Sequence, residues 1–318
     1  MSRLRASSCR HRTDAQRLHA VLKPAFTLVE LLVVVVILTV LASLSLAGLT
    51  GARQRAKIDK TRSTIRKIDA VMRPMYDSYR TRRVVTTGAT RTATANTTLI
   101  TKRGIMAREM PDSWDDIPST KAVFDALPAA YQTSILRTYT NYRAANSTLS
   151  ASDNASHECL YLIASRSGFE PDALELFRND EVIDADGDGA KEFSDGWGSP
   201  IAFMRWAPGF SSPVQANVYS ADAHDPLDPL HTDTTAYALV PLVYSPGADE
   251  VYGLITMSGT TTSGPKSGWA HLSLGAICAL PVTGATDSSW NGKRAGEIDP
   301  SKPTAYRDNI TNHDLSKK

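Results

Sequence analysis

Cysteine is scarce in this chain: Cys9, Cys159 and Cys278 are the only three among 318 residues. Cys9 lies in a basic N-terminal stretch. If that stretch is removed two remain, enough for one disulfide outside the cytoplasm or for two small buried thiols. A basic body is lacking too. Residues 1–25 hold Arg3, Arg5, Arg10, Arg12, Arg17 and Lys23 against Asp14 alone, which leaves 29 basic and 32 acidic residues for the remainder. A basic leader on a mildly acidic body argues against a nucleic-acid role, which asks for a basic face. The chain also lacks a Gly-x-Ser-x-Gly elbow, a Gly-x-x-x-x-Gly-Lys-Ser/Thr phosphate cradle and a His-Glu-x-x-His zinc helix, so no catalysis is expected.

Charge is nearly absent from one long run. Phe26 to Leu49 is a stretch of 24 residues with Glu30 as its single charge. At about 1.5 Å per helical residue it spans roughly 36 Å, enough to cross a hydrocarbon core of about 30 Å with tilt. A removable secretory signal has an apolar core of about 7–15 residues and a small-residue cleavage site. This run is longer, and Gln54-Arg55-Ala56-Lys57 is a poor place to cut. The segment reads as an anchor. Glu30 is its costly member, at about 2.5–3.5 kcal/mol for a charge at the helix centre and less near an end. It either reaches the headgroups or, after a cut before Phe26, neutralises the new amine of a neighbouring chain and fixes register.

The stretch Lys23-Pro-Ala-Phe-Thr-Leu-Val-Glu-Leu-Leu resembles the prepilin processing motif of type IV pilins and type II secretion pseudopilins. The resemblance implies that a membrane-embedded prepilin peptidase cuts between Ala25 and Phe26 and methylates the new N-terminus. Glu30 matches the family's glutamate fifth from the cut, an assembly residue. Ala25 stands where the family prefers glycine. Arg53, Arg55, Lys57, Lys60 and Arg62 follow the span, so positive charge does not decide the topology. The resemblance places the leader in the cytoplasm and the body in the periplasm.

Beyond the span, Ile58, Ile65, Ile68, Met72, Met75 and Tyr79 recur at helical spacing. They predict that the helix continues as a stalk, about 54 residues and roughly 80 Å in all, with a kink or local opening at Pro74. The Thr/Ala-rich residues 84–98 read as a loop or link. Residues 119–145 and 155–166 read as helices, and 201–206 and 237–244 as strands. The expected fold class is α+β: a long N-terminal transmembrane and stalk helix packed on a small antiparallel sheet, pilin-like, with a helical insertion. The divisions are 1–25 (leader), 26–80 (transmembrane and stalk helix) and 81–318 (body, with 84–180 as the insertion).

The clearest chemical signal in the body is Asp184-Ala-Asp-Gly-Asp-Gly-Ala-Lys-Glu-Phe-Ser-Asp195. Oxygen ligands at Asp184, Asp186, Asp188, Glu192 and Asp195, with Gly189 at the sixth place and the Ala190 carbonyl at the seventh, fit a calcium loop. Asp195 is shorter than the usual final glutamate, and Gly196-Trp-Gly-Ser-Pro200 cannot be an EF-hand helix. An acidic solvated turn is the alternative. Gly196–Ile201, Tyr244-Ser-Pro-Gly-Ala-Asp249 and Asp308–His313 together resemble the C-terminal region of the major pseudopilin. There a Ser-x-Gly-Ala-Asp loop closes on a late Asp-Ile segment around a calcium site, which makes Asp249 and Asp308 candidates for a second site. His224, Asp225, Asp228, His231 and Asp233 read as a solvated polar loop, and His157-Glu158-Cys159 as a helix turn.

The expected function is a structural subunit of a type II secretion pseudopilus or related type IV filament. Its expected partners are the prepilin peptidase, other copies and related pseudopilins, the inner-membrane assembly platform, and lipid, with Ca2+ as cofactor. A surface pilin, an adhesive minor subunit, and a tethered binding protein or hydrolase are the alternatives.

Overall fold

A computed structural model describes residues 26–86, 88, 90–146, 148–149, 154–216, 223–256, 260–261, 264–265 and 293–315. Cys9, Ala25 and Cys278 lie outside them. The fold is α+β. Helix α1 runs Leu28–Thr81 and continues through Pro74 without interruption. Contacts divide the chain into two units, Met1–Ala52 and Arg53–Lys318.

In the first unit α1 is apolar and exposed. Every large apolar side chain from Leu28 to Leu49 stands open, and this is the one described helix long and apolar enough to cross a membrane.

In the second unit the periodic stripe of α1 is buried: Ile65, Ile68, Val71, Met72, Met75, Tyr76 and Tyr79 form one wall of the main core. Helix α2 (Arg91–Glu109) packs on it through Leu99, Ile105 and Met106, and helix α5 (Ala155–Arg166) through Leu160 and Ile163. Within the region expected as an insertion, 84–180, helices α2 and α5 thus contribute to the main core. The expected loop at 84–98 is overturned from Arg91 onward. Thr90 caps α2 by accepting from the Ala93 amide at 3.1 Å, and Thr94, Thr97, Thr98 and Thr101 each donate to the carbonyl four residues back. Threonine is a poor helix former because it competes for backbone groups. Here the competition resolves inside the helix, and burial of Leu99 fixes the rest.

The predicted helix at 119–145 is broken in two, α3 (Lys121–Asp125) and α4 (Ser134–Ala145), because Pro128 starts a 3-10 turn at Ala129–Tyr131. These helices, with Trp114, Ile117 and Cys159, enclose a second apolar cluster.

Strands β1 (Val182–Ile183) and β2 (Glu192–Phe193) pair antiparallel across the acidic loop. Strands β3 (Ala202–Met204) and β4 (Leu242–Ser245) pair antiparallel, and a minor ladder joins β5 (Thr260–Thr261) to β6 (Gly264–Pro265). Strand β7 (Ile310–Thr311) joins the other side of β4 and leads into α6 (Asn312–Leu315). The strand expected from 237 begins only after Pro241, which has no amide to give a ladder. Alternation along β3 and β4 sends Phe203 and Val243 into the main core, and Ala202, Met204, Leu242 and Tyr244 into a third cluster.

The segment after β2 clips onto α1. The Gly196 amide donates to Thr61 Oγ1 at 2.9 Å, and a Cβ on Gly196 would sit 2.3 Å from the Lys57 carbonyl oxygen. Only glycine fits this approach. Trp197 Nε1 donates to Gln54 Oε1 at 3.2 Å.

Candidate functional site

At the start of α1, Thr27 and Glu30 form a reciprocal cap. The Glu30 carboxylate accepts from the Thr27 amide at 2.9 Å and from the Thr27 hydroxyl at 2.8 Å. The Glu30 amide donates to Thr27 Oγ1 at 3.2 Å. Spacing of three residues and mutual bonding make this a capping box, which satisfies helix-start amides that have no carbonyl four residues back. Glu30 thus serves its own helix while its carboxylate stays exposed. Phe26 beside it is 77% exposed, and no described cation pairs with Glu30. The result is an apolar rod with a carboxylate held at its tip.

The acidic loop is built between β1 and β2. Asp184, Asp186 and Asp188 bring one carboxylate oxygen each to within 4.8 Å of one another, and Glu158, Asp186 and Glu192 form a second such group. Gly187 and Gly189, at φ +78° and +98°, make the turns that allow this. Asp184 accepts from the Gly187 amide, Asp186 from the Asp188 amide, and Asp188 from the Ala190 amide. Glu192 accepts from the Ala185 amide through Oε2 at 2.9 Å, and Glu158 from Trp114 Nε1 through Oε2. Burial pushes both glutamates up to about 7, and neighbouring carboxylates add to the rise.

Asp195, expected as the twelfth ligand, is elsewhere. It accepts from the Trp197 and Ser199 amides and, at 2.6 Å, from the Ser245 hydroxyl. Pairing of β2 with β1 carries the chain past the loop before Asp195 is reached, so Asp195 organises the clip instead.

Against families of known proteins, residues 23–46 match the prokaryotic N-terminal methylation motif. That motif is the hallmark of type IV pilin and pseudopilin precursors. It marks this chain as a pilin-like precursor of the kind a prepilin peptidase processes. No curated protein and no solved structure matches the chain.

Below the methylation motif, the remaining sequence-predicted residues divide. Asp308 Oδ2 accepts from the Ala248 and Asp249 amides at 2.8 and 3.0 Å, and Asp249 accepts from the Val251 amide. The Ser245–Asp249 loop thus closes on Asp308, with no third carboxylate or histidine grouped there among the described residues. The solvated-loop reading of 224–233 is overturned. Asp225, Asp228 and Asp233 are buried, and the fully buried Arg103 pairs with Asp225 at 2.7 Å and Asp233 at 2.9 Å. Nothing in the spacing of α2 announces Arg103. Cys159 is a free buried thiol whose pKa burial raises further, which keeps it un-ionised and unfit as a nucleophile. Glu158, read from sequence only as part of a helix turn, joins the acidic group. Its signal was an acid directly before the apolar run Cys159-Leu-Tyr-Leu-Ile163.

Proposed function

We propose that this protein is a structural subunit of a type II secretion pseudopilus or a related type IV filament, with the body outside the cytoplasm. The observation that carries this is the bare apolar length Leu28–Leu49 headed by the Thr27–Glu30 cap within the methylation motif. A membrane covers such a rod in the precursor, and neighbouring rods cover it in a fibre. Cutting before Phe26 creates an amine four residues from Glu30. In a low-dielectric bundle that amine and the Glu30 of an adjacent copy neutralise each other only at one axial offset, so a carboxylate costly in lipid becomes a register device. The closing of the Ser245–Asp249 loop on Asp308, and the Gly196 clip on the stalk, support the pseudopilin side of this reading over a merely tethered enzyme.

The test is Glu30→Leu in the producing cell. Insertion and processing are expected to continue while incorporation into sheared or crosslinked fibres is lost. Normal fibre yield from Glu30→Leu would contradict the register role.

A further inference from the structure

We infer that Glu158, Asp186 and Glu192 form a divalent-cation site of calcium type that ties the acidic loop to helix α5. This site is distinct from the one the pseudopilin resemblance implies near Asp249 and Asp308, and it does not depend on the filament reading. Glu158 is 2% exposed and Glu192 is fully buried. Each uses Oε2 in a hydrogen bond and leaves Oε1 buried with no partner. A buried carboxylate oxygen without a donor is costly, and two of them beside a third carboxylate add mutual repulsion. No described lysine or arginine pairs with any of the three. A cation joining the three carboxylates removes both costs.

The chemistry selects the ion. All donors are carboxylate oxygens, with no histidine or thiolate among them, which favours a hard cation. Calcium binds oxygens at about 2.3–2.6 Å, so two ligands on opposite sides of the ion lie up to roughly 5 Å apart. The three donor atoms lie within 4.8 Å of one another, close enough for one such ion to reach all three. Magnesium prefers a tight octahedron at about 2.0–2.1 Å and keeps several waters. Asp184 and Asp188 stand beside Asp186 with oxygens of their own, a ready supply for the higher coordination number of calcium. The loop alone offers an EF-like fragment. Glu158, 26 residues before Asp184 in sequence, replaces Asp195 as the distant carboxylate.

The test is terbium luminescence with the full-length protein in detergent micelles, exciting the indole. Because Trp114 Nε1 bonds Glu158, a terbium ion at this site is expected to emit on tryptophan excitation, and CaCl2 to displace it. Glu158→Gln and Glu192→Gln are each expected to weaken calcium binding about tenfold or more, while Asp308→Asn leaves it unchanged. Glutamine preserves the volume and one accepting oxygen, and circular dichroism checks that each variant is folded. Absence of sensitised emission from the unaltered protein would overturn the site. So would calcium affinity that survives both glutamine substitutions, or that falls only in Asp308→Asn.

Discussion

The two ends of helix α1 are equally regular and meet opposite fates. Leu31 to Leu46 present their side chains to the surroundings, while the stripe Ile65, Ile68, Val71, Met72, Met75, Tyr76 and Tyr79 is buried in a core shared with α2, α5 and the β3–β4–β7 sheet. Local propensity does not separate them. The difference is patterning: the first stretch is apolar on all sides, and the second carries one apolar stripe among Arg62, Arg66, Lys67 and Arg73. A stripe can be satisfied by one domain, at about 1.5–3 kcal/mol for each large side chain enclosed. A helix apolar all round needs lipid or other helices. The chain therefore stabilises its body with its own residues, and its apolar end is left for lipid or other helices to cover.

That contrast is broken most severely at a buried charge in the body. Arg103→Met leaves Asp225 and Asp233 buried without a cation, and is expected to destabilise the body by about 3–5 kcal/mol in urea unfolding. An effect below about 1 kcal/mol would mean that the aspartates are held by something else. Next in size is a matched pair on α1 itself. Ile68→Ala should cost about 2–5 kcal/mol, whereas Val35→Ala should leave the unfolding of the body within about 0.5 kcal/mol of the unaltered protein. Equal effects would abolish the distinction between the two ends. Smallest is the glycine pair. Gly196→Ala drives a methyl into the Lys57 carbonyl and is expected to cost about 1–3 kcal/mol. Gly48→Ala meets nothing within 4 Å in the subunit and should leave body stability unchanged. A fibre defect in Gly48→Ala alone would show that neighbouring helices approach closely there.

The same contrast explains what could be read from sequence. The anchor and the stripe were legible because each is a pattern repeated over many turns, so single exceptions such as Pro74 do not erase it. Strands β3 and β4 were legible from short apolar runs, although Pro241 trims one of them. Helix α2 was not, because its threonines are weak helix formers whose hydroxyls bond back along the helix only once its fold is in place. Arg103 was illegible for a different reason: its partners lie more than 120 residues away, and a lone arginine in a polar helix carries no mark of burial. The acidic loop was half legible. Asp184, Asp186, Asp188 and Glu192 follow from spacing, but counting twelve positions to Asp195 ignores the strand that redirects the chain, and Glu158 comes from another element altogether.

The account rests on a precursor that is cut before Phe26 and then assembled through the exposed helix. Mass spectrometry of the N-terminal peptide from the membrane or fibre fraction tests this most directly. The account predicts a mature chain that begins at an N-methylated Phe26 and lacks residues 1–25. A mature chain that retains the basic leader, or that begins beyond Leu49 with the apolar helix removed, would contradict it.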